Sequence, residues 1–519
     1  MTDNPTKPDE IVITVDDLGA IDDRILERLP NIRALFLQDG LQFNDAYSET
    51  PLCCPGRASF LTGQHTAHHG VTRNDARLLN PNNTIATALH ADGYYTLFDG
   101  KYLNGAAQLA DHTPPGWDHV TMLNDWSANY SSSWWVDDVP TTAGYYDRYI
   151  DQTSTALLAA APANKPVFMW VTPHAPHKSA ESTQDWEPDI EPRYVNDPRC
   201  DGIKPWRPPN YLFAGQPNGY PLDDICRSML TVDDIVGDLE RVASDQGRNP
   251  IWVLTSDNGM AWGSNGYLLK NVPAADRLPL FMTGPGIVHG RTSALVSNID
   301  FGPTLADLAG TTMPKADGKS FVAALDGSGG GRKAMLEDHP VGGPTGEGDI
   351  ATGPWWGVRT PHWHLVVWND VHLYDTEADP WEMTDVAQQH MDVVKQLASI
   401  FHRSITLPSP PPSPSVSPPP TSSLPPTPSS SPSPTATIAP SATPFASSPE
   451  PTAEASPSAT MSSKASPSPS AAAVVTTGGT GSSRNTSVDI GPAALTAALA
   501  GLVILLVLFI SPRMRPRRS

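Results

Sequence analysis

The sequence predicts an α/β fold, a mostly parallel sheet sandwiched by helices, with a small antiparallel sheet added near the C-terminal end of the globular part. Three observations carry this. Short apolar, β-branched or aromatic runs recur: IVITV (11–15), YYTLFDG (94–100), PVFMWVTP (166–173), IWVLTSDNG (251–259) and LPLFMTGPG (278–286). Helical stretches lie between them, among them TIATALHADG (84–93) and SMLTVDDIVGDLERVAS (228–244). Apolar strands alternating with helices are those of a parallel sheet covered on both faces. The third observation is that four runs end in polar residues: VDD, DGK, PHAPH and SDN. Ligands of open α/β sheets gather outside the carboxyl ends of the strands, so these ends are expected to converge on one site. WHLVVW and VHLYD, within 363–375, supply the antiparallel addition.

The globular composition ends near Ser404, giving a predicted domain over 1–404 with a C-terminal subdomain from about 330. Residues 405–486 are dominated by Pro, Ser, Thr and Ala. Such a tract buries too little apolar surface to offset its ordering entropy and is expected to be a disordered stalk. Residues 490–510, IGPAALTAALAGLVILLVLFI, show no polar face. At 1.5 Å per residue they span a hydrocarbon core of about 30 Å, so one transmembrane helix is expected. Arg513, Arg515, Arg517 and Arg518 lie in the basic tail 511–519, which the positive-inside rule puts in the cytoplasm. The globular part is then expected outside the cell, anchored to the cell membrane. No signal peptide precedes the first strand, and a start upstream of the present one is expected.

Lys and Arg number 34 against 55 Asp and Glu, a net charge of −21. This argues against nucleic acid as a partner and against a long basic track for a highly sulfated polymer. Positive charge for an anionic substrate has to be concentrated locally.

Asp16 and Asp17 follow the first strand, and Asp257 and Asn258 follow a late one. Either pair alone reads as a turn or helix cap. Two pairs, each ending a buried strand, make an all-oxygen set suited to Ca²⁺ or Mg²⁺. The stretch CCPGRASFLTG (53–63) predicts a helix starting near Pro55, with Cys53 at its positive end and Arg57 one turn on. Both lower a thiol pKa and favour anions. Cys200 and Cys226 flank a Pro-rich insertion and are expected to form a disulfide outside the cell.

In order, VDD, C-x-P-x-R with LTG, GKYLN (100–104), PHAPH (173–177), SDNG (256–259), Lys270, RLPLFMTGPG (277–286), NIDFGPTLADLAG (298–310) and LYDTEADPWEMTDV (373–386) resemble the type I sulfatases. These belong to the alkaline-phosphatase-like superfamily. KYLN, CCP-x-R, PPGW (114–117) and TVDD (231–234) look like the N-acetylglucosamine-6-sulfatase and related glycan-sulfatase branch. The resemblance implies that Cys53 is the precursor of formylglycine, installed by a formylglycine-generating enzyme. Its hydrate attacks sulfur, expels the alcohol and then collapses to release sulfate. Asp16, Asp17, Asp257 and Asn258 are implied to hold the metal, usually Ca²⁺. Arg57 is implied to hold the nucleophile, Lys101 and Lys270 the sulfate oxygens, and His177 the ester oxygen. A turn role is the better expectation for His174, and a structural one for His65, His68 and His69.

The family commonly has Ser where Gly56 stands, and a second histidine where Leu103 stands. The expected function is hydrolysis of sulfate esters of carbohydrates, and the resemblance to that branch points to a 6-O-sulfated amino sugar. Two alternatives remain: a phosphate or phosphonate monoester hydrolase of the same superfamily, and a non-catalytic surface protein that binds sulfated glycans.

Overall fold

The computed structural model describes residues 7–20, 23–125, 131–179, 187–340 and 353–405. The span expected at 490–510, with nearly all of the stalk and the basic tail, lies outside the described residues. Among the described residues no helix is long and apolar enough to cross a membrane.

The main sheet contains, in chain order, β1 (Glu10–Val15), β2 (Leu41–Phe43), β3 (Tyr95–Gly100), β4 (His119–Asp125) and β5 (Ser132–Val136). It continues with β6 (Val139–Ala143), β7 (Val167–Thr172), β8 (Ile251–Ser256), β9 (Leu280–Thr283) and β10 (Gly290–Thr292). Their order across the sheet is β10-β2-β9-β8-β1-β7-β3-β4-β5-β6. The central block β8-β1-β7-β3-β4 is parallel throughout. Antiparallel pairing appears at the margins, where β9 meets β8 and β2, and where β5 and β6 form a hairpin on β4. The run 278–286 therefore does form a strand, but one antiparallel to its neighbours.

The strands in the middle of the sheet are apolar on both faces because both are covered. Helices α1 (Cys53–Thr62), α2 (Ile85–Ala91), α3 (Tyr146–Ala160), α4 (Asp223–Asp245) and α5 (Phe301–Leu308) supply the covers. Ile11, Ile13 and Val15 join a core with Ile150 and Leu158 of α3 and Val236 and Leu239 of α4. Val12, Phe168 and Trp170 join another with Phe60 of α1, Leu89 of α2 and Leu305 of α5. Alternate residues of a strand thus feed opposite layers, each large side chain contributing about 1.5–3 kcal/mol on burial.

A second sheet is an antiparallel meander of β11 (Met335–His339), β12 (Trp355–Arg359), β13 (Trp363–Trp368) and β14 (Asp370–Asp375). Helix α6 (Met391–Ile400) packs Val394 and Leu397 against its Leu365 and Leu373. A buried ionic knot joins this sheet to the main body. Arg359 pairs with Glu337 at 2.7 Å, with Asp276 at 3.1 Å and with Glu382 at 3.2 Å. His364 lies 2.8 Å from both Glu337 and Glu382. Burial and Arg359 oppose its protonation, but the two glutamates prevail and raise its pKa to about 9. The expected Cys200–Cys226 disulfide is present, closing a separation of 26 residues.

Glu10 is the exception in this core. It is fully buried in β1, and neither carboxylate oxygen accepts a hydrogen bond among the described residues. Burial, helped by the charge of Asp9, raises its pKa well above the ordinary value. The folded chain then holds a proton that the unfolded chain loses above about pH 4.5, so this group weakens stability as pH rises. Replacing Glu10 by Gln is expected to raise the melting temperature at pH 7 by at least about 2 °C. The gain should disappear below pH 4, and a gain independent of pH would show that ionisation is not its cause.

Candidate active site

Four adjacent parallel strands deliver the polar groups. Val15 of β1 pairs with Ser256 of β8, so Asp16 and Asp257 leave the sheet side by side. Gly100 of β3 pairs with Thr172 of β7, which puts Lys101 and the 173–177 loop on the same end. Gly100 has φ +119°, and a Cβ there would lie 2.2 Å from the Thr172 carbonyl, so only glycine fits. Asp17 itself takes φ +68°, a left-handed conformation that Asp tolerates better than most residues.

Helix α1 begins at Cys53, two residues before Pro55, and all of its residues are buried. Cys53 therefore occupies the first turn, at the positive end of the helix dipole, where the Cys54 N–H donates to Asn74 Oδ1 at 3.0 Å. Gly56 explains one departure from the family pattern. A Cβ there would lie 2.1 Å from the Asp257 carbonyl, so glycine permits the close approach of α1 to the loop after β8. Leu103, at the other departure, is buried in the apolar core that also holds Tyr102 and Phe98.

The sequence-predicted residues come together. The Cys53 sulfur lies 3.0 Å from Lys270 Nζ, 3.6 Å from Lys101 Nζ and 3.6 Å from Asp16 Oδ1. Lys270 Nζ donates to Asp17 Oδ1 at 2.8 Å, and Lys101 Nζ to Asp16 Oδ2 at 2.5 Å. Arg57 Nε donates to Asp257 Oδ2 at 2.8 Å, and its Nη2 lies 3.5 Å from Asp16. His177 Nε2 stands 3.4 Å from Asp17 Oδ2. Every one of these side chains is almost wholly buried. Burial opposes the Asp16 charge, but Lys101, His177 and Arg57 outweigh it and hold its carboxyl well below the usual range. Burial and the neighbouring Asp16 push Asp257 the other way, to about 6, against Arg57.

The donor set fits a hard divalent cation. Oxygens of Asp16, Asp17 and Asp257 lie within 4.8 Å of one another. Asn258 is buried beside them, its Nδ2 donating to Asp17 Oδ1 at 2.6 Å, while its Oδ1 accepts no hydrogen bond among the described residues. A buried amide oxygen without a donor is costly, and a cation shared with the carboxylates would satisfy it.

One contributor escaped sequence reasoning. Asp147, in the first turn of α3, accepts from the backbone N–H groups of His174 and Ala175 at 2.7 and 3.0 Å. It thereby fixes the loop that carries His177. Burial lifts its pKa to about 7 despite those two bonds. No motif marks it, because its role arises only when α3 packs beside β7. His174 is more than a turn residue: its ring lies 4.5 Å from that of His177. Burial, with His177 and Lys101 nearby, keeps its pKa well below the usual value and its imidazole neutral. His65, His68 and His69 lie elsewhere, contacting Glu49, Asp317 and Ser59 respectively.

A family model described as Sulfatase matches residues 8–311, and one described as N-sulphoglucosamine sulphohydrolase, C-terminal, matches residues 272–406. The N-acetylglucosamine-6-sulfatase of Capra hircus is 29% identical over 362 residues, covering 62% of this chain and 64% of its own. That of Homo sapiens is 29% identical over 363 residues, covering 62% and 65%. The chain thus matches just under two thirds of the length of these relatives. A structure solved in complex with its substrate D-glucosamine-2-N,6-O-disulfate has a TM-score of 0.61 at 21% identity, covering 76% of this chain and 98% of that one. At that identity the likeness carries the fold.

Ca²⁺ at a hundred times its dissociation constant is expected to stabilise the protein by about 2.7 kcal/mol, read as a rise in melting temperature over an EDTA-treated sample. Asp17→Asn should abolish most of that rise. Equal melting temperatures with Ca²⁺ and with EDTA would rule out a cation site here.

Proposed function

This chain belongs to the sulfatase family, and on that premise we propose that its globular part hydrolyses sulfate esters of carbohydrates, with an N-acetylglucosamine 6-sulfate group as the favoured substrate. The single observation that carries the reading is the position of Cys53. Its sulfur stands at a helix N-terminus, within 3.6 Å of both lysines and of a carboxylate of the acidic cluster. The names of the relatives supply the sugar.

Cys53 as formylglycine, made by a formylglycine-generating enzyme, would supply a hydroxyl nucleophile on a carbon already positioned by α1. A bound Ca²⁺, or Mg²⁺, held by Asp16, Asp17, Asp257 and Asn258, would favour the ionised form of that hydroxyl and polarise the sulfate. Lys101 and Lys270, both within 3.6 Å of the Cys53 sulfur, would bind sulfate oxygens and offset the charge that builds up during transfer. Arg57 holds Asp257 and Asp16 in place through its guanidinium. His177 is the candidate donor of a proton to the departing alcohol oxygen, its Nδ1 facing the Lys178 carbonyl at 3.0 Å. Asp147 positions it through the loop backbone.

The charges support an anionic substrate. Arg57, Lys101 and Lys270 match the three carboxylates one for one, so a divalent cation would leave the pocket with two positive charges for a sulfate ester. For the whole protein we propose a cell-surface enzyme held by a membrane helix at 490–510, with the globular part outside.

Cys53→Ala is expected to lower hydrolysis of N-acetylglucosamine 6-sulfate by at least about 10³-fold. Lys270→Ala should cost about 10²–10³-fold, as for loss of one charge-stabilising donor. Mass spectrometry of the tryptic peptide containing Cys53, after co-expression with the modifying enzyme, should show the aldehyde in place of the thiol. Full activity in Cys53→Ala would sink the mechanism. Much faster turnover of phosphate or phosphonate esters than of sulfate esters would move the chain to the phosphoryl branch of its superfamily.

A further inference from the structure

A cleft of about 600 Å³ is lined in part by Leu18, Gly19 and Ala20, the segment that directly follows Asp17 in the chain. Strands β2 and β9 contribute Phe43 and Phe281, and the 204–209 loop forms another part of the lining. Its charge runs against that of the chain. Arg24, Lys204, Arg207, Arg277 and Arg291 all line it, and Asp23 is the one acid among the described lining residues, in a protein whose net charge is −21.

Pairing within the cleft leaves most of that positive charge in place. Arg291 is neutralised by Asp23. Lys204, Arg207 and Arg277 are exposed and form no salt bridge among the described residues. Arg277 donates to the neutral Asn44 carbonyl, with its Nη2 at 2.6 Å. Arg24 donates to the carbonyls of Lys204 and Pro205 at 3.1 Å, and its guanidinium lies 5.3 Å from the centre of the Trp206 ring. Trp381 follows, its ring 6.0 Å from that of Trp206. Lys204, Arg207 and Arg277, which have no carboxylate partner among the described residues, gain most from an incoming anion, since no existing ion pair has to break. Flat, rigid indoles beside them offer apolar surface with little entropy to lose. The volume lies in the range that accommodates small-molecule ligands.

We propose that this cleft binds the sulfate and carboxylate groups of sugar residues flanking the one whose ester is cleaved, so that the protein reads a stretch of an anionic glycan. The inference rests on the glycan-sulfatase reading above for the identity of its ligand, yet it concerns binding and needs no turnover.

The test uses a size-defined heparin hexasaccharide and the full-length chain in the Cys53→Ala background, with calorimetry at 0.15 M salt. Lys204→Glu combined with Arg207→Glu is expected to weaken binding at least tenfold. Arg241→Glu with Lys395→Glu, an equal charge change at exposed positions outside the cleft lining, should alter it less than twofold. In the active protein the cleft variant should raise KM for a 6-O-sulfated hexasaccharide at unchanged kcat, and leave the monosaccharide untouched. Unaltered hexasaccharide binding in the cleft variant overturns the proposal. So does an equal loss in the control pair, or an equally charged DNA oligonucleotide that binds as tightly. Loss of hexasaccharide binding in a protein that turns over no sulfate ester would support the cleft and count only against the hydrolase reading.

Discussion

Three carboxylates and three cations share one water-poor pocket, and the rest of the structure exists around that standoff. Asp16, Asp17 and Asp257 cannot stay ionised out of water without Arg57, Lys101 and Lys270, nor can those cations be buried without them. The six groups come from five segments: Asp16 and Asp17 from the end of β1, Asp257 and Lys101 from the ends of β8 and β3, Arg57 from α1, and Lys270 from the loop before β9. Removing any one leaves a stranded charge. The opposite shifts of Asp16 and Asp257, one held low and one lifted to about 6, show how finely that balance is divided.

The parallel sheet is what makes the standoff possible. Strands running the same way bring their carboxyl ends to one edge, and in-register pairing places Asp16 beside Asp257 and Lys101 beside the 173–177 loop. Two glycines then set distances that no other residue permits, Gly100 against the Thr172 carbonyl and Gly56 against that of Asp257. Asp147 completes the arrangement by gripping the loop backbone below His177. The small sheet contributes stability at a distance, docked through the Arg359 knot.

Much of this could be read from residue order. The buried parallel strands appear as unbroken apolar runs because both faces are covered, and the site residues stand directly after them. The marginal elements were opaque. Strand β6, with Val139, Pro140 and Thr142 facing outward or half out, has no apolar rhythm to announce it, and β2 and β10 are three residues each. The orientation of β9 was likewise hidden, since an apolar run says nothing of direction. In the site, Asp147 left no trace because a carboxylate that caps a distant loop has no local signature. Gly56 looked like a weakness in a motif until its neighbour across the helix was visible. The cationic cleft could not be foreseen either, because its charges come from separate stretches of an acidic chain.

The Cys200–Cys226 bridge carries a consequence for where such a protein can operate. The bridged segment encloses Lys204, Trp206 and Arg207, tying that side of the cleft to α4. A thiol-reducing cytosol would release the tether and let the segment wander, while the strand-end cluster, which owes nothing to sulfur–sulfur bonding, would stand unchanged. On the reading proposed above, binding along a glycan would thus depend on an oxidising milieu, while the arrangement of the strand-end cluster would not.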